Sequence, residues 1–190
     1  KDKYEDWFKP LWTPKSAEIT KRTETGEDFE EGLKAVWHEV HRVLKDDGLL
    51  VFTYHYKVDE ENKAWRAILS SLLEAGFCIV ATYPVPSEMA VSTHIRDSAA
   101  RTYDTILVCK KRLEKPKAIS WNALEDKVLI EVTKETRRIR RIHPSLSEED
   151  VSIIVLGTFL RILSQHYPEV YKEDGQRVQL EEAFSRIQKL

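Results

Sequence analysis

Phe29, Leu33, Val36, Trp37, Val40, Val43 and Leu44 recur at helical spacing after Asp28, which predicts an amphipathic helix running to Lys45. Asp46-Asp47-Gly48 ends it, because short acidic residues and glycine favour a turn. Leu49 to Phe52 follows as a continuous apolar run with no polar alternation, the pattern of a strand covered on both faces in a parallel sheet. Ala64 to Leu73 predicts a second amphipathic helix closed by Gly76, and Phe77 to Tyr83 a second strand, so these elements make a βαβ unit. Pro84 and Pro86 open a long connection through Ala100, and Tyr103 to Cys109 is a third apolar strand. With no full crossover helix between them, the second and third strands are expected to be antiparallel.

The pattern turns helical after the linker at Pro116. Trp121 to Arg141 predicts one long helix, broken at Pro144, and Ser145 with Glu148 offers a capping box for a further helix to about Gln165. Val170 to Val178 carries the turn pair Asp174-Gly175, and Leu180 to Leu190 predicts a last amphipathic helix. At the other end, Tyr4 to Trp12 is a short aromatic stretch interrupted by Pro10 and Pro14. The organisation expected is an α/β unit over residues 1–115 and a mostly helical extension over 116–190.

Composition narrows the partners. Of the 190 residues 33% are charged, yet the net charge is only -2, so a basic surface must come from local clustering. Cys78 and Cys109 lie in apolar strand-like runs without partners at metal spacing, as expected of reduced packing residues in a cytoplasmic protein. Val151 to Leu163 is too short and too interrupted to cross a bilayer. The chain begins at Lys1 and its single methionine is Met89, so it is expected to be part of a longer polypeptide.

Several residue groups could carry chemistry. Ligands of open α/β sheets bind beyond the carboxyl ends of the strands, where Thr53, Tyr54, His55 and Tyr56 end the first strand. Their aromatic faces and polar tips suit a planar base or ring, although alternation along a strand turns half of them into the core. His38-Glu39-Val40-His41 is one residue short of the zinc spacing HExxH, and no metal site is expected. Arg137, Arg140 and Arg141 share one helix face as a candidate phosphate stripe. Glu125, Asp126, Glu131, Glu135 and Glu148 lie close in sequence and offer an ion-paired face instead. The segment from Ser87 to Ser98 is too long for a simple hairpin turn and invites a functional loop, with Glu88 its most suggestive carboxylate. No glycine-rich phosphate loop, nucleophile elbow, CxxC pair or EF-hand loop occurs.

The words Thr13-Pro14-Lys15 with Glu18-Ile19, Phe29-Glu30-Glu31-Gly32-Leu33, Arg42-Val43-Leu44-Lys45 and Asp47-Gly48-Leu49-Leu50-Val51-Phe52 are more specific than their periodicity. They continue in order with Ala64-Trp65, Leu73-Glu74-Ala75-Gly76-Phe77, Tyr83-Pro84-Val85, Glu88-Met89, Ser98-Ala99-Ala100 and Thr105 through Arg112. In the tail, Ser164, Tyr167, Val170, Asp174-Gly175 and Glu182-Ala183-Phe184 extend the series. In these words the chain resembles, over essentially its whole length, prokaryotic adenine-specific DNA methylases of the large type with an uncharacterised N-terminal domain.

The resemblance implies a Rossmann-like methyltransferase that uses S-adenosylmethionine, with a sheet ending in a late parallel strand followed by a reversed hairpin strand. It also implies a glycine-rich cofactor turn and a DPPY-type catalytic motif, and neither occurs in this sequence. The chain is therefore expected to be the carboxyl-terminal half of the catalytic domain, inactive alone and unable to bind the cofactor, with DNA as partner. Its missing half, or a second copy, is expected to cover an exposed strand edge. By position in the resemblance, Thr13, Pro14, Lys15 and Glu18 would approach the target nucleotide, Thr53, Tyr54 and His55 would lie at the active edge, and Glu88 and Ser98 in a loop over it. An RNA or small-molecule methyltransferase, or a non-catalytic interaction module, are the alternatives.

Overall fold

The computed structural model describes residues 27–54, 63–86, 103–144 and 146–187. Helix α1 (Glu27–Val43) leads through a turn at Gly48 into strand β1 (Leu50–Tyr54). Helix α2 (Lys63–Glu74), strand β2 (Phe77–Pro86) and strand β3 (Tyr103–Lys111) follow. The short β4 (Ile119–Ser120) opens into helix α3 (Trp121–Ile142), then come helix α4 (Glu148–His166), β5 (Val170–Tyr171) and helix α5 (Leu180–Ile187).

The three main strands are ordered β1-β3-β2, and β3 runs antiparallel to both neighbours. β1 and β2 are therefore parallel to each other, as a βαβ unit requires, but β3 is inserted between them. The antiparallel pairing of β2 with β3 agrees with the expectation. β4 pairs in parallel with β5 in a separate two-stranded ladder.

Strand β2 continues through Pro84 and Pro86, where the sequence suggested a connection; they pair with Thr105 and Tyr103. Proline lacks the ladder N–H, and β2 is an edge strand, where that donor is dispensable. A register shift between Ile79 and Ala81 interrupts the same strand, and α4 repairs it. Ser164 Oγ accepts a 2.9 Å hydrogen bond from the Ile79 N–H, while Gln165 Nε2 donates to the Ile79 carbonyl at 3.0 Å.

The expectation that β1 is covered on both faces fails. Its burial alternates, and Val51 is 55% exposed. Leu50, Phe52 and Tyr54 turn to the helices: the Phe52 ring lies 5.0 Å from Trp37, and Trp37 Nε1 donates to Ser71 Oγ at 3.1 Å, tying α1 to α2. Cross-strand register puts Leu107 and Cys109 of β3 on that same side, both fully buried. A continuous apolar run identifies a strand but not the number of layers that cover it.

Residues on both sides of the 115/116 boundary share one core. Trp65, Phe77 and Leu107 belong to the same buried cluster as Phe159, Leu160 and Leu163 of α4 and Phe184 of α5. The boundary separates types of secondary structure rather than separate interiors. Arg112 reinforces the junction: its guanidinium donates to the carbonyls of Tyr167, at 2.8 Å, and Ser164.

The capping box of α4 lies two residues beyond the expected one. Ser147 Oγ accepts from the Asp150 N–H at 3.1 Å, and the Asp150 carboxylate accepts from the Ser147 N–H at 3.2 Å. Ser145 lies outside the described residues. Ser147 satisfies the same motif, with an acidic residue three positions on, nearer the helix's first buried turn.

Two glycines have distinct roles. Gly76 follows α2 with φ +85, and a Cβ there would come within 3.2 Å of His41 Nε2, so the left-handed turn requires glycine. Gly157 lies inside α4, where a Cβ would meet Thr82 Oγ1 at 3.4 Å and Thr105 Cγ2 at 3.7 Å, ordinary contact distances. Gly157→Ala is thus expected to stabilise the chain by about 0.5–1 kcal/mol through helix propensity alone. Thermal unfolding checks this; a lowered midpoint would mean that the helix-to-sheet contact has no room for a methyl group.

Candidate functional site

The parallel course of β1 and β2 brings their carboxyl ends to one edge of the sheet, where both Tyr54 and Pro84 pair with Thr105. That is the edge at which open α/β sheets hold ligands. Thr53 and Tyr54 are separated there by the pleat. Thr53 is exposed, whereas Tyr54 is half-buried with its ring edge-on to Trp65 at 4.6 Å. Thr53 and Tyr54 thus face opposite sides of the sheet, as the expected alternation along a strand requires, and the Tyr54 ring belongs to the core contact.

Thr105 is a residue that sequence reasoning passed over. It is 1% exposed, and its Oγ1 has no hydrogen-bond partner among the described residues. Only its polarity amid an apolar strand could have drawn attention to it. Its side chain contributes to a small void with Thr82, Pro84, Glu135 and Thr158. An adjoining open cleft of about 180 Å³, lined by Thr82, Glu131, Glu135, Thr158 and Arg161, lies between β2, α3 and α4. Its charges are largely compensated: Arg161 pairs with Glu131 at 3.3 Å, and Arg138 holds Glu135 with hydrogen bonds of 2.6 and 3.1 Å. The arrangement can take a small polar group, but it carries no nucleophile and base pair.

The arginine cluster divides unevenly. Arg138 is bonded to Glu135, which holds the guanidinium more firmly protonated. Arg137, Arg140 and Arg141 are exposed and make no ion pair or hydrogen bond with another described residue. The ion-paired face expected from the nearby carboxylates thus claims Arg138 and leaves the stripe free. Acidic neighbours in sequence are poor predictors here because Glu131 points to Arg161 and Lys134.

His38 and His41 sit on α1 without a metal-like cluster: Glu39 binds Arg42 at 2.6 Å, and the His41 ring lies edge-on to Phe77 at 5.2 Å. Among the described residues no three potential ligands converge. Burial, with Cys78 nearby, pushes the Cys109 thiol up to about 12, so it is protonated at neutral pH and serves as a core residue. Thr13, Pro14, Lys15, Glu18, His55, Glu88 and Ser98 lie outside the described residues. Among the described residues no helix is long and apolar enough to cross a membrane.

Comparison with known proteins returned no matching family model, curated protein or solved structure.

Proposed function

We propose that this chain forms the terminal part of the sheet of an S-adenosylmethionine-dependent, adenine-specific DNA methyltransferase of Rossmann-like fold. The observation that carries the reading is the strand order β1-β3-β2, a parallel pair joined through α2 with a reversed strand inserted between them. It agrees with a methyltransferase sheet that ends in a late parallel strand and a reversed hairpin strand. Two further features favour it. The outer edge of β1 has no partner strand among the described residues. The sheet face that bears Val51 and Tyr83 is open, these two being 55% and 49% exposed.

In this reading a companion segment, on the same polypeptide or another, pairs with β1 and supplies the glycine-rich turn and the DPPY-type motif that this sequence lacks. The cofactor supplies the methyl group when bound, and the protein positions the acceptor. The target adenine is turned out of the duplex to reach the site. Thr53 and Tyr54 stand at the rim; the resemblance also assigns site roles to His55, Glu88 and Ser98 and to Thr13, Pro14, Lys15 and Glu18, all outside the described residues.

The test is methyl transfer from labelled cofactor to duplex DNA by the whole coding unit, with the product base identified after digestion. Methyladenine in the DNA is expected, together with a glycine-rich turn and a DPPY-type motif encoded upstream of Lys1. A start codon directly before Lys1 and no transfer would overturn the reading. Calorimetry on this chain alone is expected to detect no cofactor binding.

A further inference from the structure

We propose that the carboxyl-terminal half of α3 is a phosphate rail on which duplex DNA lies as it reaches the carboxyl edge of the sheet. DNA as the occupant rests on the methyltransferase reading, whereas the location and free charge of the rail come from the geometry alone.

The location follows from how α3, α4 and β2 run beside one another. Lys127 meets His166, Glu131 meets Arg161, and Glu135 lines a void with Thr158, so α3 and α4 are antiparallel. Along α4, Ser164 bonds Ile79 near the start of β2, a Cβ at Gly157 would meet Thr82, and Ile153 shares the void with Pro84. α3 therefore runs in the same direction as β2, with Glu135 level with Thr82 and Pro84. At 1.5 Å per residue, the remaining turns to Ile142 carry the helix roughly 10 Å further toward and past the carboxyl edge. That final stretch bears Arg137, Arg140 and Arg141.

No described residue forms an ion pair with the charge there. Each of these arginines is exposed and unbonded to any described residue, in a chain whose overall charge is -2. The surface is positive by local arrangement, and the partially negative end of α3 favours cations in its last turn. Arg137 and Arg141 stand one turn, about 6 Å, apart. A nucleic-acid strand offers one charge per roughly 3.4 Å, so each guanidinium can address a phosphate of its own. The planar fork of arginine suits a phosphate's paired oxygens better than a point charge would. Such contacts orient a duplex without reading its sequence.

The experiment measures binding of this chain to a labelled 30-base-pair duplex of mixed sequence across a salt series. Arg137, Arg140 and Arg141 each engaging a phosphate predict a slope of log affinity against log salt of about -3, at roughly 0.9 per contact. R137E/R141E is expected to remove about 2 from that slope and to weaken binding at least ten-fold at about 100 mM salt. K45E/K110E makes the same charge change among exposed residues at the opposite edge of the sheet and is expected to leave the slope near the parent's. Circular dichroism melts confirm that both variants remain folded. An unchanged slope in R137E/R141E, an equal loss in the control pair, or no duplex binding by the parent at about 50 mM salt overturns the rail. A single-stranded RNA of equal length bound ten-fold more tightly overturns DNA as its occupant. None of these measurements involves the cofactor, so an altered slope without methyl transfer by the whole coding unit would remove the enzyme reading and leave the rail.

Discussion

Phe159→Ala is expected to destabilise the chain by about 3–5 kcal/mol, the range for removing a fully buried aromatic side chain and leaving a cavity. Phe159 has no exposed surface, stands edge-on to Phe184 of α5 at 5.7 Å, and belongs to the cluster that contains Phe77, Ile79 and Leu107 of the sheet. Its loss therefore acts on the sheet as well as on the helical half. Urea denaturation followed by tryptophan fluorescence and by far-ultraviolet dichroism should shift by the same amount in both signals. A loss under about 1 kcal/mol, or a sheet that unfolds apart from the helices, would contradict a shared core.

Arg112→Met comes next, at about 2–3 kcal/mol. Methionine keeps much of the aliphatic bulk but removes the guanidinium that donates to the Ser164 and Tyr167 carbonyls at the end of α4. Hydrogen bonds from charged donors contribute about 1.5–3 kcal/mol, and the carbonyls left behind at a helix end lose their partner. Arg112→Lys should recover only part of the loss, because one ammonium does not reproduce the fork. Melting temperatures of the two variants beside the parent check this ranking; equal values for all three would mean that the junction holds by apolar packing alone.

The separation of Thr53 from Tyr54 illustrates what could be read at the candidate site. The strand and its position at a carboxyl edge followed from an apolar run ending in polar residues. The division of that end between two faces follows from the pleat, but which face is covered depends on α1 and α2. Arg137, Arg140 and Arg141 were legible as a stripe from helical spacing. Their freedom was not, because a carboxylate nearby in sequence can be spent on a partner 30 residues away, as Glu131 is on Arg161. Thr105 carried no sequence signal beyond a hydroxyl in an apolar strand, since burial without a partner is a property of the packed neighbours.

Local physics alone determined much of this protein: the helical periodicities, the strand runs and the turn at Gly76. Each of these depends on residues within about one or two turns of each other, so the chain carries its own evidence for them. The tertiary structure decided the placement of β3 between β1 and β2, the persistence of β2 through its prolines and the sharing of one core across the 115/116 boundary. It also decided the open face of β1 and the course of α3 to the sheet's carboxyl edge. These are choices among distant partners of similar local appearance, and burial of apolar surface, which is non-directional, selects them only when the whole chain is assembled.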